Sequence, residues 1–201
     1  MKKSVLIFGV ILLTLALIGC TTIEVNKTIA TTEKPADAVA TEASTQASNT
    51  AAKTKSETEG FMKGFKAKEI KIKDVAGTEF VLSEHLGKVV VLNFWATWCP
   101  PCDQEIPYFN AAYLELDPNE AIIIGIDLIE NDSLEDVKAK IVEHNIQYPI
   151  YLDKGNIAAN DYRVRSIPTT VIVKPNGVIY EVYVGALSKE SLLTFIEEAK
   201  Q

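Results

Sequence analysis

Two cysteines separated by two prolines, Trp98-Cys99-Pro100-Pro101-Cys102, hold the densest chemistry in this chain. They follow an apolar run and precede a stretch of helical periodicity, which puts Cys99 at a helix start and Cys102 one turn inside. At an open helix start the backbone N–H groups lack intrahelical acceptors and the dipole is positive, so a thiolate at Cys99 is favoured. Cys99 is therefore expected to have a lowered pKa and to attack a partner disulfide. Cys102, within bonding reach, would resolve the mixed disulfide by displacing the reduced partner. Pro100 and Pro101 suit a first helical turn, where their missing N–H groups have no intrahelical acceptor to lose. They also stiffen the loop that must hold both redox states.

Two plainer readings compete. A Cys-x-x-Cys pair can be half of a zinc site, but His85 and His144 lack a close paired spacing and lie in different elements. A structural disulfide is the other, although a bridge closing so short a loop constrains the unfolded chain little. His85 and His144 are expected in loops or on the surface and receive no role.

The elements around the cysteines read as an α/β sandwich. Glu69-Ile-Lys-Ile-Lys73 alternates, Ala76-Gly77 punctuates, and Phe80-Val-Leu82 resumes, which marks a hairpin. Lys88 to Trp95 contains the continuous apolar run Val89–Leu92, the mark of a strand buried on both faces. A helix is predicted from about Pro101 to Leu116, a second buried strand over Ala121–Ile126, and a helix from Ser133 to His144 with Ser133 as its N-cap. Tyr148–Leu152 reads as a short strand and Ile157–Tyr162 as helical. Thr169–Val173 and Val178–Val184 flank Pro175-Asn176-Gly177, a hairpin signal, and Lys189–Lys200 closes the chain as a helix capped by Ser188. Leu192, Leu193, Phe195 and Ile196 are placed on the buried side of that last helix.

Chain organisation is equally uneven. Of 201 residues, 47% are hydrophobic and 23% charged, ordinary globular proportions for about one domain with extra chain. The formal net charge of −7 leaves no basic field for phosphates, so nucleic-acid binding is disfavoured. Lys2 and Lys3 precede an apolar run from Val5 to Ile18, long for a signal h-region and short for a spanning helix, so the chain is read as exported. Leu17-Ile18-Gly19-Cys20 resembles the lipobox of bacterial lipoprotein signals. That resemblance implies a signal peptide over 1–19 and lipidation of Cys20, with several acyl chains making the anchor effectively permanent. An uncleaved anchor helix with an incidental cysteine is the alternative. Residues 20–60 then form the lipidated cysteine and a tether rich in Ala, Thr, Ser, Glu and Lys, which buries too little surface to offset its ordering entropy. As a flexible coil it would reach roughly 35 Å. The folded domain is expected over 61–201.

Val91-Leu-Asn-Phe-Trp-Ala-Thr-Trp-Cys-Pro-Pro-Cys102, Pro107 within the following helix, and Ile167-Pro168-Thr169 ahead of a strand resemble the thioredoxin superfamily. The lipobox, the tether, the leading hairpin and the added helix and strand at 133–152 are more specifically similar to the TlpA/ResA-like membrane-anchored thiol:disulfide oxidoreductases. The resemblance implies a thioredoxin-like sandwich: a central mixed β-sheet with helices on both faces, an N-terminal β-hairpin and an α/β insertion. It implies Cys99 as nucleophile, Cys102 as resolving thiol, and a cis Pro168 beside them. A cis bond there would turn the backbone of Ile167 toward a partner strand. Trp98 would be a partly exposed apolar platform, with Pro100 and Pro101 completing the substrate-facing loop, while Trp95 reads as core. Thioredoxins carry a buried Asp where this chain has Asn93, which cannot take a proton. Glu105, three residues after Cys102 and hence on its helical face, resembles an acidic residue that ResA-like proteins place near the cysteines. It is expected to tune the thiol pKa values and assist proton transfer; a solvated surface carboxylate is the alternative.

A reductant in an oxidising extracytoplasmic space must be recharged, and this sequence has no spare cysteine pair or dinucleotide fold to do it. No cofactor beyond the redox-active Cys99–Cys102 disulfide is expected. The resemblance implies an integral membrane thiol protein of the CcdA or DsbD type as electron donor and oxidised extracytoplasmic proteins such as apocytochrome c as acceptors. The leading reading is a reductant lipid-anchored on the extracytoplasmic side of the cell membrane. The alternatives are a DsbA-like oxidant and a copper-binding chaperone like the SCO proteins, whose wider Cys-x-x-x-Cys pair and later histidine are not seen. A peroxidase is disfavoured because no Pro-x-x-x-Thr/Ser-x-x-Cys pattern ends at Cys99.

Overall fold

The computed structural model describes residues 57–201. The expected signal segment, Cys20 and the tether as far as residue 56 lie outside the described residues.

Every residue of β5 (Val89–Trp95) is buried, the polar Asn93 included, as the apolar run Val89–Leu92 predicts for a strand covered on both sides. It pairs in parallel with β6 (Ala121–Asp127) and antiparallel with β8 (Thr169–Val173), and β8 pairs antiparallel with β9 (Ile179–Val184). On the other side β6 is followed in parallel by β7 (Ile150–Leu152), which pairs antiparallel with β3 (Lys71–Asp74). β4 (Glu79–Val81) completes the leading hairpin at the edge. The order is therefore β4-β3-β7-β6-β5-β8-β9, a seven-stranded mixed sheet. The expected insertion is thus integral to the sheet, because its strand β7 joins the leading hairpin to the remaining strands.

Alternation along β5 sends Val89, Val91 and Trp95 to one face and Val90, Leu92 and Phe94 to the other. The first face is covered by α1 (Pro100–Glu115), α2 (Leu134–Glu143) and α4 (Lys189–Ala199), which contribute Ile106, Phe109, Val137, Leu192 and Ile196. The second is covered by α3 (Ile157–Asp161) and the segment after it, through Ala158, Ala159 and Tyr162, together with Phe80 and Leu82. Helices therefore lie on both faces of the sheet, as expected.

Local chemistry explains most boundaries. Ser133 and Ser188 cap α2 and α4 by accepting the amides of Asp136 and Ser191. In the β8–β9 turn Gly177 has φ +83°, a value that a side chain disfavours. Of the residues placed on the buried side of α4, Leu192 and Ile196 are fully buried while Leu193 and Phe195 pack at its margin. The strand expected from Tyr148 begins only at Ile150. Pro149 has no N–H to give a ladder, and its carbonyl instead accepts the amide of Gly125 at 2.9 Å. Order also begins before residue 61: β1 (Glu59–Gly60) pairs with β2 (Lys66–Ala67). Gly60 lies so close under Phe65 that a Cβ would stand 2.6 Å from the ring.

Candidate active site

Cys99 is the N-cap of α1, with extended backbone (φ −106°, ψ 97°), and Pro100 and Pro101 occupy the first helical turn. Its sulfur accepts the amide of Cys102 at 3.3 Å, one of the donors a helix start leaves free. Cys99 and Cys102 are joined as a disulfide with Cα atoms 5.3 Å apart. The dithiol pair thus sits at the strand-to-helix junction, but the helix start is not open: Cys99 is 3% exposed and Cys102 1%. Both belong to the core cluster of Ala96 and Ile106, with Ile167 packed against it. The exposed surface here belongs instead to their neighbours, Pro100 and Pro101 on the outside and Trp98, which is 54% exposed.

Pro168 comes to the site through the sheet. Phe94 pairs with Thr169, which carries the preceding Pro168 to the level of Trp95 and the turn before Cys99. The Ile167–Pro168 peptide bond is cis. Pro168 is buried and Ile167 half-buried, and the Pro168 carbonyl accepts the amide of Gly185 at 2.9 Å. Trp95 is core, as expected.

Glu105 is not a solvated surface carboxylate: it is 1% exposed on the face of α1 that meets the sheet. Asn93 donates to Oε1 at 2.7 Å and the amide of Leu187 to Oε2 at 3.1 Å. Asn93 also reaches Thr170 Oγ1 at 3.3 Å, its register partner on β8. Burial pushes the Glu105 carboxyl up to about 7, against the opposing pull of the Asn93 and Leu187 hydrogen bonds. A carboxyl in that range can take or give a proton near neutrality. Asn93, noted in the sequence only for what it cannot do, is the donor that orients this acid.

The two histidines stand apart. His85, in the 3-10 turn Leu82–His85, stacks on Phe80 with ring centroids 4.7 Å apart. His144 ends α2, 3.7 Å from Asp103, whose other oxygen receives Lys140 at 3.0 Å. Among the described residues no group of three or more His, Cys, Asp or Glu side chains is placed to hold a metal ion. The reading of the sequence missed a second acidic feature beside the site. Asp127 at the end of β6 is wholly buried, and Asp132 accepts both donors of Thr97, two residues before Cys99. An acid in phase with the apolar run Ala121–Ile126 was the available signal.

Comparison with known proteins agrees with this geometry. The AhpC/TSA family profile matches residues 64–182. The thiol-disulfide oxidoreductase ResA of Bacillus thuringiensis (strain Al Hakam) is similar, 32% identical over 135 residues that span 67% of this chain and 77% of that one. The thioredoxin-like protein YneN of Bacillus subtilis (strain 168) is 36% identical over 130 residues, 65% of this chain and 76% of YneN. Among solved structures, a thiol:disulfide interchange protein of the thioredoxin family from Chlorobium tepidum TLS superposes with a TM-score of 0.60 at 29% identity, covering 67% of this chain and 94% of that one.

Proposed function

Because this chain belongs to the AhpC/TSA family, and within it to the thioredoxin-like thiol-disulfide oxidoreductases related to ResA, we propose that it reduces disulfides of extracytoplasmic proteins through Cys99 and Cys102. The observation that carries the reading is the Cys99–Cys102 disulfide at the head of α1, with Glu105 buried one turn further along the same helix.

In the reduced protein the Cys99 thiolate attacks a partner disulfide, forming a mixed disulfide and releasing one partner thiolate. Cys102 then gives its proton to Glu105 and attacks Cys99 Sγ, which expels the second partner thiolate and restores the Cys99–Cys102 bond. Two electrons pass to the partner; its first thiolate takes a proton from solvent and Glu105 hands the Cys102 proton to the second, leaving two partner thiols. The exposed Trp98, the outward Pro100 and Pro101, and the half-buried Ile167 form the surface that a partner strand meets, with the buried Pro168 beneath it. An integral membrane thiol protein of the CcdA or DsbD type would return the electrons, and apocytochrome c is the acceptor to test first. The lipobox at Leu17–Cys20 supports attachment to the extracytoplasmic face of the membrane through Cys20.

Insulin reduction driven by dithiothreitol tests the chemistry. Cys99→Ser is expected to abolish turnover and Cys102→Ser to accumulate mixed disulfide, whereas exchange surviving in Cys99→Ser defeats the reading. A redox titration fixes the direction. A midpoint near about −270 mV marks a reductant, and one near about −120 mV the DsbA-like oxidant.

A further inference from the structure

The turn that delivers Cys99 to α1 is held from outside its own strand and helix. Thr97 donates its amide to Asp132 Oδ2 at 2.8 Å and its hydroxyl to Asp132 Oδ1 at 2.5 Å. Behind Asp132 stands Asp127, the last residue of β6, in register with Trp95 and 0% exposed. Among the described residues no N–H or O–H donates to either carboxylate oxygen of Asp127. The polar side chain it meets is the Asp132 carboxyl, and two carboxyl groups form a hydrogen bond only when one of them carries a proton. Two carboxylates in contact and sheltered from water cannot both be charged without a large penalty. Asp132 already accepts two hydrogen bonds and keeps some exposure, whereas Asp127 has neither, so the proton of the pair belongs on Asp127.

We propose that Asp127 is a positioning residue of the dithiol site: it stays protonated and donates to Asp132, so that Asp132 holds both donors of Thr97 and fixes the turn from which Cys99 attacks. This rests on the reading of Cys99 as the attacking sulfur.

At the level of Asp127, β5 presents Trp95, whose buried indole N–H finds no partner among the described residues, and β7 presents Leu152; neither side chain titrates. Asp153, just after β7, gives its amide to the Asp127 carbonyl and spends its carboxylate on the amides of Ala158 and Ala159. Glu130, in the 3-10 turn Ile129–Asn131, receives the side-chain amide of Asn156. Asp132 is thus the charged group that acts on Asp127, and burial first, then that neighbouring charge, push the Asp127 carboxyl up to about 8. Below that pH the pair carries one proton and the clamp is closed. Above it two negative charges face each other and Thr97 loses its anchor.

Infrared difference spectra of the oxidised full chain, wild type minus Asp127→Asn, test the proton directly. The expected result is a neutral carboxylic-acid carbonyl band at neutral pH that titrates away as pH rises through about 8. Glu105 is present in both proteins and cancels. Insulin reduction gives the second readout. Asp127→Ala leaves Asp132 without its donor and is expected to slow exchange about tenfold. Asp127→Asn supplies an N–H in place of the O–H, so it recovers most of that loss, and its rate relative to wild type climbs above about pH 8, where the wild-type proton is gone. Absence of the acid band overturns the proposal, and so do equal rates for the two variants. Exchange surviving in Cys99→Ser would instead remove the reading of the dithiol, an outcome on which the infrared band does not depend.

Discussion

Glu105 couples the pH of the medium to stability. Its carboxyl sits at about 7 in the folded chain against 4.5 as a free side chain, with burial as the main cause. Between those values the folded state binds more protons than the unfolded one, so stability is full below about 4.5, falls as pH climbs and levels off for this group above about 7. The shift corresponds to on the order of 3 kcal/mol. Glu105→Gln should remove this part of the pH dependence, which urea denaturation of the oxidised protein at about pH 5 and about pH 8 measures. Asp127 contributes a slope of the same sign and should persist in the variant. If the stability difference between the two pH values is the same in both proteins, Glu105 does not hold the proton assigned to it. Asn93 supplies the complementary test. Its hydrogen bond favours the charged form of Glu105, so Asn93→Ala should raise the Glu105 pKa above about 7, read from its side-chain carbonyl resonance across a pH titration. At this scale the sequence disclosed the residues whose partners are local. Cys99, Cys102 and Glu105 share one helix and follow from spacing. The amide of Leu187 that completes the Glu105 site lies 82 residues away, and no spacing rule connects the two.

Elements proved legible wherever a periodic pattern met a chemical boundary. Ser133 caps α2 through the amide of Asp136 at 3.1 Å, and Ser133→Ala should cost about 1 kcal/mol in urea denaturation while leaving insulin reduction unchanged. The apolar runs of β5 and β6 marked strands buried on both faces, but they did not say which side chains would meet across the pair. Gly125 illustrates what was hidden. It reads as a gap in a run of isoleucines, yet a Cβ there would stand 2.4 Å from Ile150 Cδ1, 3.1 Å from Trp95 Nε1 and 3.2 Å from Tyr148 Cε2. The close approach of β7 and of the Trp95 indole needs the absence of a side chain. Ile150 can yield, but the two rings behind it leave little room, so Gly125→Ala should destabilise the domain by about 1–3 kcal/mol. An unchanged urea midpoint would mean that the rings give way freely. Asp127 was illegible for the same reason: its contact with Asp132 and the tie to Thr97 exist only once β6 lies beside β5 and Leu128 donates to the Trp95 carbonyl.

For the whole molecule, the proposed attachment and the dithiol are encoded in separate stretches of chain. No helix among the described residues is long and apolar enough to cross a membrane. The proposed attachment rests on the sequence ahead of residue 57. There the apolar run from Val5 to Ile18 is shorter than the roughly 20 residues a spanning helix needs, while Cys20 stands directly behind it. A single acyl chain binds a bilayer only marginally, whereas several on one cysteine hold it for good. The proposed lipid anchor thus makes a sharp prediction in cells expressing the full chain. Radioactive fatty acid should label the wild type, and Cys20→Ser should lose the label. Label retained on Cys20→Ser excludes acylation at this residue. An unlabelled wild type that stays in the membrane fraction and keeps residues 1–19 by mass would instead assign attachment to the uncleaved apolar segment. In either case insulin reduction by the Cys20→Ser protein in solution should match that of the wild type, because the hydrogen bonds and packing that position Cys99 and Cys102 come from within residues 57–201.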